Sequence, residues 1–109
     1  MAITYKVLAQ LSPSSGGLVT LYTVPSSTST VVSTISICNR AGATGSFRIA
    51  IRPAAEAIDN KHYILYDASI PANDTLFLTI GVTLATTDVV SVYASSSSMS
   101  FNLFGSEIT

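Results

Sequence analysis

Charge is scarce in this sequence. Five of its 109 residues are basic (Lys6, Arg40, Arg48, Arg52, Lys61) and six acidic (Glu56, Asp59, Asp67, Asp74, Asp88, Glu107), a charged share of 10%. An ordinary soluble domain carries about 25%. With a net charge of −1 there is neither a basic field for phosphates nor an acidic tail, so no nucleic-acid partner is expected. Tryptophan is absent, and cysteine and histidine occur once each, as Cys38 and His62. One thiol cannot close a disulfide within the chain, which suits folding in a reducing cytoplasm. Together the two residues cannot supply a Cys/His metal-ligand set. No metal and no cofactor are expected.

Catalytic patterns are missing as well. His62 is the sole imidazole base, and no Gly-x-Ser-x-Gly elbow is present. Asp59, Asp67, Asp74 and Asp88 fall at strand ends, where aspartate ordinarily caps turn N–H groups. Gly16-Gly17 and Gly42-Ala43-Thr44-Gly45 lack the Lys-Ser/Thr of a phosphate loop and read as turns. A catalytic site is not expected, and the protein reads as non-enzymatic.

Long apolar runs are also lacking. Residues Val7 to Asn39 carry no charge, but Pro13, Pro25, two glycines and many hydroxyl residues interrupt them. A spanning helix needs about 20 predominantly apolar residues, so no membrane partner is expected. The start Met1-Ala2-Ile3-Thr4-Tyr5-Lys6 shows no basic region followed by an apolar stretch, so no signal peptide is expected.

What the chain has instead is serine and threonine, 17 and 13 of them, and a period of two. Ile3-Tyr5-Val7 alternate with Thr4-Lys6-Leu8. Leu18–Val24, Val31–Asn39, Phe47–Arg52, His62–Asp67, Thr75–Ile80, Val89–Ala94 and Met99–Phe104 are the other strand candidates. Turn formers separate them. Pro53–Asn60 reads as a turn or one-turn helix, and Ser95–Ser98 as an exposed hairpin loop. Eight short strands with little helix predict a single domain over 1–109, all-β, an antiparallel sandwich of immunoglobulin-like or jelly-roll type. Its expected core is Phe47, Ile49, Ile51, Leu78, Val89 or Val90, and Phe101. In the third strand Val31, Ile35 and Ile37 are expected on the buried face.

Tyr63-Ile64-Leu65-Tyr66 is apolar on both faces, with Tyr63 and Leu65 on one and Ile64 and Tyr66 on the other. A two-layer sandwich buries one face of each strand. Val19, Leu21, Val32 and Phe104 add apolar groups to faces that read as outward. These residues predict a contact surface centred on Tyr63 or Tyr66, with Arg48 and Arg52 at its rim and Phe104 contributing. A surface so poor in charge tends to associate, so a homo-oligomer is expected.

Taken together, Leu21-Tyr22-Thr23-Val24-Pro25, Val31 through Asn39, Ile70 through Leu76, Asp88 through Ser95 and Phe104 through Ile108 carry a family likeness. From about Leu18 to Thr109 the chain resembles small β-rich virion proteins of tailed bacteriophages, cyanophages among them. The resemblance implies a structural virion component whose partners are the major capsid protein or other virion proteins. A short chain without helical anchor or coiled coil suits a capsid decoration or cement protein on the head exterior. The resemblance favours a trimer. Tail, baseplate or fibre association is the alternative within structural proteins, and a carbohydrate-binding adhesion module the alternative outside them.

Overall fold

The computed structural model describes residues 1–14 and 16–109. Eight strands follow one another: β1 (Ile3–Leu11), β2 (Val19–Thr23), β3 (Ser29–Asn39), β4 (Gly45–Arg52), β5 (Tyr63–Ile70), β6 (Thr75–Leu84), β7 (Val89–Ala94) and β8 (Met99–Ile108). Two one-turn 3₁₀ helices, Pro53–Ala55 and Asn60–His62, lie between β4 and β5. The strands form two four-stranded sheets, β1-β8-β3-β6 and β2-β7-β4-β5, with every pairing antiparallel.

The pairing is nested: β1 with β8, β2 with β7, β3 with β6, β4 with β5. It is a long double ribbon rolled into two layers, so every connection except β4–β5 passes between sheets. This is jelly-roll order, and it decides against the immunoglobulin alternative, whose sheets group the strands differently. It also corrects the reading of Ser95–Ser98. That loop joins β7 in one sheet to β8 in the other, and is therefore a crossing and not a hairpin.

The core lies between the layers. Phe47, Ile49, Val90 and Phe101 are fully buried and Val89 nearly so, while Ile51 and Leu78 are partly buried and pack against them. Phe47 of β4 meets Phe101 of β8 edge-on across the layers, with ring centroids 6.4 Å apart. Such a pair contributes about 0.5–1.5 kcal/mol beyond its buried area.

Bulges decide which residues face inward. Ser33 is an extra residue on β3, between Val32 and Thr34, and it reverses the alternation there. Ahead of it Thr30 and Val32 point inward; after it Ile35, Ile37 and Asn39 do. The expected inward Val31 is therefore half-exposed and Val32 is core. Leu21, expected to face outward, is core as well. The bulge continues across the sheet as Leu8 on β1 and Ile80-Gly81 on β6. Gly105 sits opposite Val32 on this line, and a Cβ there would collide with the Val31 carbonyl oxygen.

One polar cluster bridges the layers. The Tyr22 hydroxyl, on β2, donates to Glu107 Oε2 and sits 2.8 Å from Thr30 Oγ1; Lys6 Nζ donates to Glu107 Oε1 at 3.2 Å. Burial, and then the Glu107 carboxylate, push the Tyr22 phenol up to about 12. The Tyr22 hydroxyl, followed by Lys6, holds the Glu107 carboxyl below its ordinary range.

Candidate functional site

The outer face of the β2-β7-β4-β5 sheet carries an aromatic cluster built by irregularities in β5. Ile49 pairs with Leu65 and the next residue, Ala50, pairs with Tyr63, so Ile64 is an extra residue. Phe47 pairs with Ala68, so Tyr66 and Asp67 together oppose Arg48. Asp67 adopts φ 51° to make this turn, a conformation aspartate tolerates better than most side chains. The regular alternation would put Tyr63 and Tyr66 on opposite faces. The bulges bring them to one face, and their rings meet edge-on with centroids 4.9 Å apart. The expected pairing of Tyr63 with Leu65 on a shared face is thereby corrected: Leu65 turns to the core and Tyr63 away from it.

Arg48 organises the cluster. Its guanidinium carbon lies 4.1 Å from the Tyr66 ring centre and 4.6 Å from that of Tyr93, its neighbour on β7. Nε and Nη2 donate to the two carboxylate oxygens of Asp67 at 2.6 and 3.3 Å. That carboxylate holds the guanidinium even more firmly charged than usual. Tyr66 thus packs against the Arg48 guanidinium and the Tyr63 ring while 59% of it stays exposed. Asn60, Tyr63 and Tyr66 line a shallow concavity of about 460 Å³ beside it.

Of the five residues singled out from sequence, Tyr63, Tyr66 and Arg48 come together here. Arg48 stands inside the cluster and not at its rim. Arg52 shares the sheet face but is engaged elsewhere, donating to Ser91 Oγ and to the Glu56 carbonyl. Phe104 lies on the other sheet, where Tyr5, Val31 and Phe104 border a second concavity of about 460 Å³. Tyr93, Asp67 and Asn60 were not anticipated as members. The outward phase of Tyr93 follows from the alternation of Val90 and Val92 in β7; the roles of Asp67 and Asn60 depend on the bulge and the 3₁₀ turn.

His62, Asp59, Asp74 and Asp88 serve the scaffold. His62, read from sequence as the first residue of a strand, is buried in the Asn60–His62 turn just ahead of β5. Its Nδ1 accepts the Asp59 N–H at 3.0 Å, which leaves Nε2–H to donate to Glu56 Oε1 at 3.1 Å. Asp59, Asp74 and Asp88 accept backbone N–H bonds from Lys61, Thr75, and Ala54 and Ala85. Among the described residues, no group of three or more His, Cys, Asp or Glu stands close enough to hold a metal ion, and no helix is long and apolar enough to cross a membrane.

No family model and no curated protein matches the sequence. Among solved structures, a chain in the structure of infectious bursal disease virus, Gx strain, aligns with 97% of this chain at a TM-score of 0.50 and 13% identity. This chain spans about a third of that one, 31% of its length. The likeness is one of fold, to a chain of a virus, and does not reach the tailed-phage group.

Proposed function

We propose that this chain is a non-enzymatic structural protein of a virion, a decoration or cement protein seated on the head. Its seat is the outer face of the β2-β7-β4-β5 sheet, with Tyr63 and Tyr66 at the centre. The observation that carries this reading is the exposed Tyr66 ring, packed against Tyr63 and against Arg48, whose guanidinium Asp67 holds. A rigid, exposed aromatic beside a guanidinium is the composition of a binding hot spot, since little side-chain entropy is left to lose on contact. The jelly-roll order and the fold likeness to a virus chain support the same reading, and its placement on a phage head comes from the resemblance of the sequence.

The test is reconstitution of particles stripped of this protein. Wild type rebinds, and Tyr66→Ser rebinds at least about tenfold more weakly, as loss of a central aromatic anchor implies. Normal rebinding of the variant removes this face as the seat. A second reading, a glycan site, is favoured by one observation: Asn60, Tyr63 and Tyr66 line a single concavity, offering an amide and two hydroxyls beside apolar rings. Saturable sugar binding abolished by Tyr66→Ser, with particle binding unchanged, would select it.

A further inference from the structure

We infer that the free edge of β6 is a self-association site, pairing antiparallel with β6 of a second copy about a two-fold axis at Phe77. Sheet edges offer unpaired backbone N–H and C=O groups, and proteins ordinarily blunt them with charge, proline, bulges or brevity. Three of the four edges here are so treated. β2 has five residues, β5 is bulged and carries Asp67, and β1 carries Lys6 and the Leu8 bulge. β6 is ten residues long, Thr-Leu-Phe-Leu-Thr-Ile-Gly-Val-Thr-Leu, without a charge or a proline. Its bulge, Ile80-Gly81, lies beyond its first five residues.

Those five residues name the partner. Thr75-Leu76-Phe77-Leu78-Thr79 reads the same in both directions. In an antiparallel pair centred on Phe77, Phe77 opposes Phe77 of the second copy, each Leu76 opposes a Leu78, and each Thr75 opposes a Thr79. Aromatic pairs and Thr–Thr pairs are among the favourable cross-strand combinations, and no like charges meet. The faces agree as well. Leu76 and Leu78 pair with Ile37 and Ile35 of β3 and lie on the core side, where the sheet edge leaves Leu76 36% exposed. A second β6 would cover them. Phe77, opposite Ser36, lies on the outer face and is 66% exposed. The product is one continuous eight-stranded sheet across two copies. It uses a surface separate from the Tyr66 cluster and stands whether or not a particle is the partner.

A five-residue edge contact is smaller than a standard interface, so association is to be read at about 100 μM protein by sedimentation equilibrium. Wild type is expected to sediment as a dimer. Phe77→Lys and Phe77→Glu each place like charges face to face on the axis and are expected to weaken dimerisation at least about tenfold, with far-UV circular dichroism unchanged. Mixing the two variants restores the dimer. Independently, Phe77→Cys in a Cys38→Ser background is expected to form a covalent dimer on mild oxidation, because facing Cα atoms of an antiparallel pair are about 4.5–5.5 Å apart, within disulfide reach. Thr83→Cys, off the axis, forms none. A wild-type monomer or trimer, a dimer indifferent to both charges, or equal cross-linking at positions 77 and 83 would overturn the inference.

Discussion

Tyr22 shows how much one hydroxyl holds in a chain with so few ions. It ties β2 to Thr30 of β3 and Glu107 of β8, and so crosses between the layers. Tyr22→Phe keeps the ring but deprives Glu107 Oε2 of the tyrosine donor, and is expected to cost about 1–3 kcal/mol, read from the urea midpoint. The pH dependence has two windows. The folded-state value of Glu107 lies below its ordinary 4.5, so its contribution is present above that pH and is lost as pH falls toward the folded value. For Tyr22 the folded value is about 12 against an ordinary 10.0, so its contribution is present below pH 10 and is lost between pH 10 and 12. In Tyr22→Phe the alkaline loss should shrink, and the acid loss should shrink too as the folded-state value of Glu107 moves back toward its ordinary one; unchanged pH profiles would refute the assignment. Gly105→Ala makes a different residue-scale case. The added methyl meets backbone and not a movable side chain, so a fall in stability at the overpacking scale, about 1–3 kcal/mol, is expected.

Among the elements, β3 and β5 decide which faces the sandwich buries. Val32 is 1% exposed while Val31 is only half-buried. Val32→Ala is therefore expected to cost about 1.5–3 kcal/mol, the worth of a buried side chain of that size, and Val31→Ala clearly less. The reverse order, measured by thermal unfolding, would mean that the Ser33 bulge is misplaced. These strands also mark how far alternation can be read. All eight strands were legible because Val, Ile, Phe and Thr recur with period two between turn formers. Phe47-Arg48-Ile49, a regular run, was placed on the correct faces. At Ser33 and Ile64 no glycine or proline announces the extra residue, so the phase read on one side of each bulge does not carry across it, and Val31, Val32 and Tyr63, ahead of the bulges, fall on the opposite faces from those expected. Tyr63, Tyr66 and Arg48 were nonetheless found together, because residue type alone marked them as unusual for a solvated surface. Asp67 and Asn60 escaped notice, since an aspartate or asparagine near a turn has an ordinary explanation.

At the scale of the whole molecule, the scarcity of charge sets how the protein meets its surroundings. Only eleven residues carry charge, and among the described residues Lys6–Glu107 and Arg48–Asp67 pair four of them within the chain. Attachment through Tyr63 and Tyr66 should survive about 0.5 M NaCl, where screening suppresses exposed charge pairs. Release at that salt and retention at low salt would contradict apolar docking. The nested jelly roll presents one broad face from each sheet. The β2-β7-β4-β5 face carries the rigid aromatic cluster, and the β1-β8-β3-β6 sheet carries Phe104, Tyr5 and the unprotected β6 edge. A cryo-electron microscopy map of stripped particles reconstituted with this protein tests the arrangement most directly. Docking through this face would give added density on the head exterior, with Tyr63 and Tyr66 turned toward the shell. Density confined to the tail, no added density, or a chain bound with that sheet facing solvent would contradict it.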